Sequence, residues 1–176
     1  MAQFMERVVR AARLEPELYE EVEVDTGAMG QAVGVVLLAS LAAGIGSYTY
    51  GGLAGLIIAA LAALLGWYVW AYLTYWIGAK ILPESHTRTS HGELLRTLGF
   101  ASAPGLLRAF GVVPGLTGVA FLIATVWMLM AMIIAVRQAL DYTSTVRALG
   151  VCVLGWLVQV LILLPLFLLF GQVPGP

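Results

Sequence analysis

Long stretches without a charged residue dominate the pattern of the chain. No Asp, Glu, Lys or Arg occurs in residues 26–79, 109–136 or 148–176. A packed soluble helix keeps a polar face toward water, whereas about 20 successive apolar residues cross a bilayer. The pattern therefore predicts an all-α fold, a polytopic membrane helical bundle with five transmembrane helices at residues 29–48, 53–76, 91–112, 116–139 and 148–170.

Positive charge gives this bundle an orientation. Eight of the nine basic residues fall on one side of the five-helix arrangement, and only Arg108 approaches the other. Because basic residues concentrate in cytoplasmic loops, the N-terminus is predicted to be cytoplasmic and the C-terminus outside. The chain divides accordingly into a cytoplasmic N-terminal amphipathic segment (1–27), a five-span membrane domain (28–171) and a short external tail (172–176).

Composition supports a membrane location and excludes several classes of protein. The chain is 61% hydrophobic and 11% charged, with a formal net charge of −1, whereas soluble domains carry about 25% charged residues. A soluble enzyme and a nucleic-acid-binding protein are excluded on this ground. Arg far outnumbers Lys, and Ala and Gly are frequent, which favours a prokaryotic source and a cell inner (cytoplasmic) membrane.

The N-terminal segment has the period of an amphipathic helix. Phe4 and Val8 fall on one face, and three arginines cover the opposite face: Arg7, Arg10 and Arg13. Such a helix is predicted to lie in the headgroup plane with its arginines toward anionic lipid, and packing on a loop or a partner is the alternative. Pro16 suits the first turn of a second helix that reaches about Val24.

Small and aromatic residues mark candidate packing surfaces in the first two spans. The pairs Gly30/Gly34 and Gly51/Gly55 have the spacing that lets helix backbones approach closely in lipid. They predict either packing within one monomer or a homo-oligomer seam. Aromatic residues end the second span, and a belt at the membrane interface is the predicted role of Trp67, Trp70 and Tyr72.

The third span is irregular. Ser90 and Glu93 form a predicted capping box at its start. Pro104 disturbs the helix in mid-span and predicts either a simple kink, the more common result, or a break after which Ser102 caps a restarted helix. Arg108 follows the break. An arginine within a span indicates function by default, with snorkelling to a lipid phosphate as the alternative. Because broken helices line binding sites in transporters, a ligand or lipid site is predicted here with four candidate contacts: Arg108, Gln159, Ser102 and Pro104.

The predicted spans lack the side chains that catalysis usually requires. No Asp, Glu, His or Lys lies deep in any of them, so neither a proton relay nor a carboxylate cation site is predicted. His86 and His91 share a loop without a third ligand, and Cys152 is the only cysteine. We therefore predict no enzyme activity, no catalytic residue, no metal and no cofactor.

Four segments carry recognisable motifs: residues 14–21 (LEPELYEE), 30–32 (GQA), 98–116 (LGFASAPGLLRAFGVVPGL) and 137–149 (RQALDYTSTVRAL). With them the chain resembles the Yip family, the Ypt/Rab-interacting membrane proteins, in its prokaryotic form. The resemblance implies five spans with a cytosolic N-terminus. Eukaryotic relatives bind Rab-type GTPases as oligomeric adaptors. This chain lacks their long cytosolic N-terminal domain and their Asp-Leu-Tyr-Gly-Pro element, so Rab binding is not expected, and the resemblance implies no catalytic residue.

These observations predict a non-enzymatic integral membrane protein. The leading hypothesis is helix-helix association, as a homo-oligomer or as an adaptor or accessory subunit of a membrane complex. Two alternatives remain open: a small transporter or channel for lipid or anion at the broken third helix, and a membrane-shaping or anionic-lipid sensor that acts through the N-terminal helix. Expected partners are membrane lipids and either the chain itself or other membrane proteins.

Overall fold

The computed structural model describes residues 2–47 and 52–170, and the predicted tail 172–176 lies outside the described residues. The described chain is helical apart from its turns and loops, which confirms the all-α prediction. Its α-helices are α1 (Ala2–Ala12), α2 (Pro16–Val24), α3 (Met29–Ser47), α4 (Gly52–Tyr75), α5 (His91–Phe100), α6 (Thr117–Ala139) and α7 (Thr145–Phe170). A short 3₁₀ turn (Thr26–Ala28) leads into α3, a π-helix (Trp76–Ile81) continues α4, and a longer 3₁₀ helix (Ala103–Val112) follows α5.

Three apolar helices are long enough to cross a membrane. Within the described residues these helices are Thr26–Ser47, Ala54–Ile81 and Thr117–Ala139, at the first, second and fourth predicted spans. A shorter apolar helical stretch, Thr145–Leu161, lies within α7. Pro16 begins α2 and Val24 ends it, as predicted.

The third predicted span is two short helices rather than one long helix. α5 ends at Phe100, a turn follows, and the 3₁₀ helix begins at Ala103. The predicted break is therefore present, because Pro104 lacks the N–H that a continuing α-helix requires. The capping box is also present, with Ser90 N–H 2.8 Å from Glu93 Oε2. The cap predicted for Ser102 is wrong, since its hydroxyl donates to the carbonyl oxygen of Leu98 at 3.4 Å.

The short helix α5 forms the centre of the packing. Every residue from Leu94 to Phe100 is buried, and α5 contacts α2, α3, α4 and α6. The 3₁₀ helix that follows packs between α3 and α6. The first part of the predicted third span is thus enclosed by the other helices, while its end, at Phe110 and Val112, is exposed.

The N-terminal segment, α1 and α2, docks on the bundle. Its buried apolar residues are Val8, Ala11, Leu18, Tyr19 and Val22. Two side chains of α6 hold it from the other side. Trp127 donates its indole N–H to the carbonyl oxygen of Ala12 at 2.8 Å, and the amide of Gln138 lies 2.7 Å from Glu20 Oε1.

Ion pairs within the N-terminal segment correct the prediction for Arg7. Arg7 is 4% exposed and reaches Glu21 and Asp25, each at 2.8 Å. Arg10 pairs with Glu15 at 3.0 Å and with Glu21 at 2.6 Å. The hydrogen bond from Arg10, reinforced by Arg7, holds the pKa of the Glu21 carboxyl below its usual value. Arg7 is therefore buried against acids of its own segment rather than directed at lipid headgroups. The interfacial position of Arg10, whose side chain is 25% exposed, stays a prediction.

The outer face of α1 carries the residues that remain exposed. Met5 is 57% exposed and Val9 is 43% exposed, while Arg13 is exposed at the end of the helix. Phe4, predicted to be interfacial, packs toward the bundle, since its ring would lie 3.8 Å from a Cβ at Gly34. Val8 is buried.

Candidate functional site

A cavity of about 790 Å³ lies between α3, α4, α6 and α7, with α5 and the 3₁₀ helix at its inner wall. This volume falls within the range of roughly 300–1,000 Å³ that is usual for small-molecule sites. The lining is mainly aliphatic, aromatic and thioether side chains. The polar or charged side chains among the lining residues are Ser40, Ser102, Arg108, Thr125 and Gln159.

The cavity opens toward the side of the bundle. Several of its lining residues on α6 and α7 are also exposed on the outer surface, including Leu129 (49%), Val153 (47%) and Trp156 (59%). On a membrane helix such an exposed apolar surface faces lipid chains rather than water. The opening is therefore bordered by exposed apolar side chains.

Close backbone packing fixes the position of Arg108. A Cβ at Gly46 of α3 would overlap the carbonyl oxygen of Arg108, and a Cβ at Gly111 would lie 2.7 Å from the carbonyl oxygen of Gly46. Glycine at both positions lets α3 and the 3₁₀ helix approach nearly backbone to backbone. Thr117 stabilises the end of the 3₁₀ helix, because its hydroxyl donates a hydrogen bond to the carbonyl oxygen of Gly111 at 2.8 Å.

The Arg108 side chain has few polar partners. One guanidinium nitrogen lies 3.3 Å from the hydroxyl oxygen of Thr125, and the guanidinium carbon lies 5.5 Å from the centre of the Phe121 ring, within cation–π distance. Arg108 is the only charged residue that lines the cavity in the described part of the chain. The site is therefore positive, and within the cavity wall no carboxylate balances it.

Two buried N–H groups on cavity-lining residues have no hydrogen-bond partner within residues 2–47 and 52–170. They are Nε of Arg108 and Nε1 of Trp70. A buried donor without a partner destabilises a protein by about 1–3 kcal/mol. Both groups can donate and neither can accept, so a hydrogen-bond acceptor is what each of them lacks.

The structure brings three of the four predicted ligand contacts together. Arg108, Gln159 and Ser102 all line this cavity although they come from three different segments. Pro104 is buried beside them and is not part of the lining. Its role in the structure is to end α5 and to start the 3₁₀ helix that carries Arg108.

The aromatic residues predicted to form an interfacial belt divide into two groups. Trp67 and Trp70 line the cavity, and Trp67 donates its indole N–H to the carbonyl oxygen of Leu95 at 3.0 Å. Tyr72 is 48% exposed, and its ring centre lies 5.8 Å from that of His91. The belt assignment therefore stays a prediction for Tyr72, while the two tryptophans face the interior of the bundle.

The predicted glycine pairs have different surroundings from one another. Gly30 is exposed and a Cβ there would meet nothing within 4 Å, whereas Gly34 faces Phe4 of the same chain. Gly55 is half-buried on α4, and Gly51 lies outside the described residues. Because Phe4 lies over Gly34, the Gly30/Gly34 surface is partly covered from within the chain.

Sequence reasoning missed most of the α6 and α7 residues that complete the cavity wall, which are Thr125, Met128, Leu129, Met132, Leu149, Cys152, Val153 and Trp156. The sequence of α6 is apolar on all sides, so its helical period does not distinguish a cavity face from a lipid face. Only Thr125 could have pointed to the cavity face of α6 from the sequence. It is the only hydroxyl side chain between residues 119 and 136.

Comparison with known proteins identifies the family. A family model described as the Yip1 domain matches residues 17–167, which is most of the chain. The match includes most of the segments on which the resemblance to the Yip family rested, and it confirms that resemblance. No curated protein and no solved structure matches the chain.

Proposed function

This chain belongs to the Yip1 domain family of membrane proteins, and we propose that it binds a membrane amphiphile, a molecule with a polar head and an apolar chain. The observation that carries the proposal is the cavity, which is apolar along most of its wall and opens toward the lipid-facing side of the bundle. An apolar chain enters such a site directly from the bilayer. The head then lies near the few polar side chains of the inner wall.

The proposed activity is binding rather than catalysis. Cys152 is the one thiol among the lining residues, and it is buried. A protein of this kind holds, presents or senses a lipid. Our proposal keeps the orientation inferred from charge, with five spans, the N-terminus in the cytoplasm and the C-terminus outside, in the inner membrane of a prokaryote.

A cavity-filling substitution tests the proposal. Ala63 lines the cavity, and its neighbour Ala62 is exposed on the same helix. Phenylalanine at residue 63 is expected to occupy the space that the chain of an amphiphile needs, while phenylalanine at residue 62 adds the same group to a lipid-facing surface. The two variants therefore differ only in the side of α4 that carries the added ring.

The measurement is labelling of the full-length protein in nanodiscs by a photoreactive fatty alcohol, with the labelled residues mapped by mass spectrometry. In the wild type and in Ala62→Phe, the label is expected on cavity residues such as Met128 and Cys152. Ala63→Phe should lose that label and keep the labelling of outer surfaces. Labelling of cavity residues that is equal in all three proteins, or absent from the wild type, contradicts the proposal.

As a second proposal, the chain associates with another membrane helix through α4. One observation supports it. The apolar stretch Ala54–Ile81 is almost entirely uncovered by the rest of the described chain, and Ile58, Leu61 and Leu65 are all more than 60% exposed. A second copy or another membrane helix would pack on this face. In a Cys152→Ser background, Leu61→Cys should form a disulfide dimer in native membranes and Leu122→Cys on α6 should not; equal yields from both would count against the α4 face.

A further inference from the structure

Building on the proposed function, we propose that the head of the bound amphiphile is an acceptor-only anion, a carboxylate or a phosphomonoester, held at Arg108 and Trp70. The two residues come from the 3₁₀ helix and from α4, and both line the cavity. Each keeps one buried N–H without a partner among the described residues. An anion with several oxygen acceptors supplies what both groups lack.

Charge selects the anion over a neutral or cationic head. The guanidinium of Arg108 is held between the Thr125 hydroxyl at 3.3 Å and the Phe121 ring, and neither contact neutralises its charge. The acids of the chain beyond residue 25 are Glu84, Glu93 and Asp141, and none of them lines the cavity. A ligand that brings a negative charge therefore removes the main electrostatic cost of keeping Arg108 in an apolar wall.

The form of the cavity requires that the anion carries a chain. Apart from five polar or charged side chains and three indoles, the lining consists of aliphatic, thioether and thiol groups together with Gly66. A small free anion such as inorganic phosphate would leave most of this wall without contact. A volume of about 790 Å³ suits a single-chain amphiphile, or one chain of a larger lipid.

The test compares head groups on one chain. Full-length protein in nanodiscs of zwitterionic lipid is titrated with an alkyl carboxylate, an alkyl phosphate, a fatty alcohol and an alkyl trimethylammonium ion, all of equal chain length, and with inorganic phosphate. Charge-assisted hydrogen bonds predict that the better of the two anions binds about tenfold or more tighter than the alcohol. The two anionic probes also identify which head group the site prefers.

Variants assign the effect to the two donors. Arg108→Gln should bring the affinity of the anions down to that of the alcohol, Arg108→Lys should retain part of the preference, and Trp70→Phe should weaken the anions while leaving the alcohol unchanged. Arg13→Gln, at an exposed position away from the cavity, is the matched control for loss of a positive charge. Trp70→Phe keeps the test decisive if the Arg108 variants do not fold.

The outcomes separate this inference from the proposed function. Equal binding of anions and alcohol overturns the head-group inference and leaves amphiphile binding in place. Tighter binding of the trimethylammonium ion overturns it as well. Inorganic phosphate that displaces the alkyl anions at similar concentration would show a free-anion site without a chain. Failure of every amphiphile to bind would overturn both proposals.

Discussion

Arg96 joins the N-terminal segment to the centre of the bundle. Its side chain is 7% exposed, and its guanidinium donates to the carbonyl oxygen of Val22 at 2.9 Å and to that of Glu23. Both carbonyls belong to the last turn of α2, where no further turn of helix provides N–H donors. The positive charge also lies at the negative end of the α2 dipole. We therefore expect Arg96 to fix α2 in its docked position.

Arg96→Met removes the guanidinium and keeps most of the apolar stem. Hydrogen bonds from a charged donor contribute about 1.5–3 kcal/mol each, and a cation at a helix end adds a fraction of that. Water can rehydrate the half-buried Glu23 side more readily than the buried Val22 side, so we expect a net loss of about 3 kcal/mol in the free energy of opening α2. This corresponds to amide hydrogen exchange in α2 that is about 100-fold faster.

Hydrogen exchange with peptide-level resolution measures this effect in nanodiscs. Arg88→Met is the control, because Arg88 is an exposed arginine in the loop before α5. The amides of α3 should keep their protection in Arg96→Met, which distinguishes local undocking from global unfolding. If α2 exchanges less than about threefold faster in Arg96→Met than in the wild type, the two carbonyl contacts do not hold the segment and our reasoning is wrong.

Three further predictions concern other contacts. Gly99→Ala would place a Cβ 2.7 Å from Ala32 Cβ and should lower the free energy of unfolding by about 1–3 kcal/mol, whereas Gly118→Ala, where a Cβ meets nothing within 4 Å, should not lower the thermal midpoint. Burial raises the pKa of Glu23 to about 7. The negative charges of Asp141, Glu93 and Glu20 add to this increase, and the positive charge of Arg96 opposes it. Because this carboxyl ionises less readily in the docked state, its contribution to stability is full below the ordinary pKa of 4.5 and is lost as pH rises through about 7. Opening of α2 should therefore become easier from about pH 4.5 to about pH 7 and change little above that, and Glu23→Gln should remove this dependence in the same exchange experiment. Tyr142→Phe removes a hydroxyl that lies 2.9 Å from the carbonyl oxygen of Gly78 and 2.7 Å from that of Leu82, and a loss of about 1–2 kcal/mol is expected in thermal unfolding; an unchanged midpoint would contradict it.

Local signals in the sequence were sufficient for much of the fold. The uncharged runs predicted the long apolar helices, Pro16 predicted the start of α2, and the Ser90/Glu93 pair predicted the start of α5. Each of these depends on neighbouring residues or on the local hydrophobic period. Pro104 likewise predicted the break after α5 but not the 3₁₀ geometry that follows, which depends on packing between α3 and α6.

Contacts between distant segments account for what sequence reasoning missed. The amphipathic pattern of α1 is the same whether Arg7 faces lipid headgroups or the acids of α2, so only the tertiary structure decides between them. The partners of Arg108 lie on α6 and were not singled out, although the residue itself was. The cavity wall on α6 and α7 is made of apolar residues in apolar helices, for which the hydrophobic period gives no direction.

The contacts that hold the N-terminal segment join residues far apart in the chain. Trp127 and Ala12 are separated by 115 positions, Gln138 and Glu20 by 118, and Arg96 and Val22 by 74. During synthesis α1 and α2 leave the ribosome first, yet their docking partners follow only after α3 and α4 have been made. We therefore expect the buried faces of α1 and α2 to stay uncovered throughout insertion of those two helices, which makes this interval the stage at which a chaperone would protect the nascent chain.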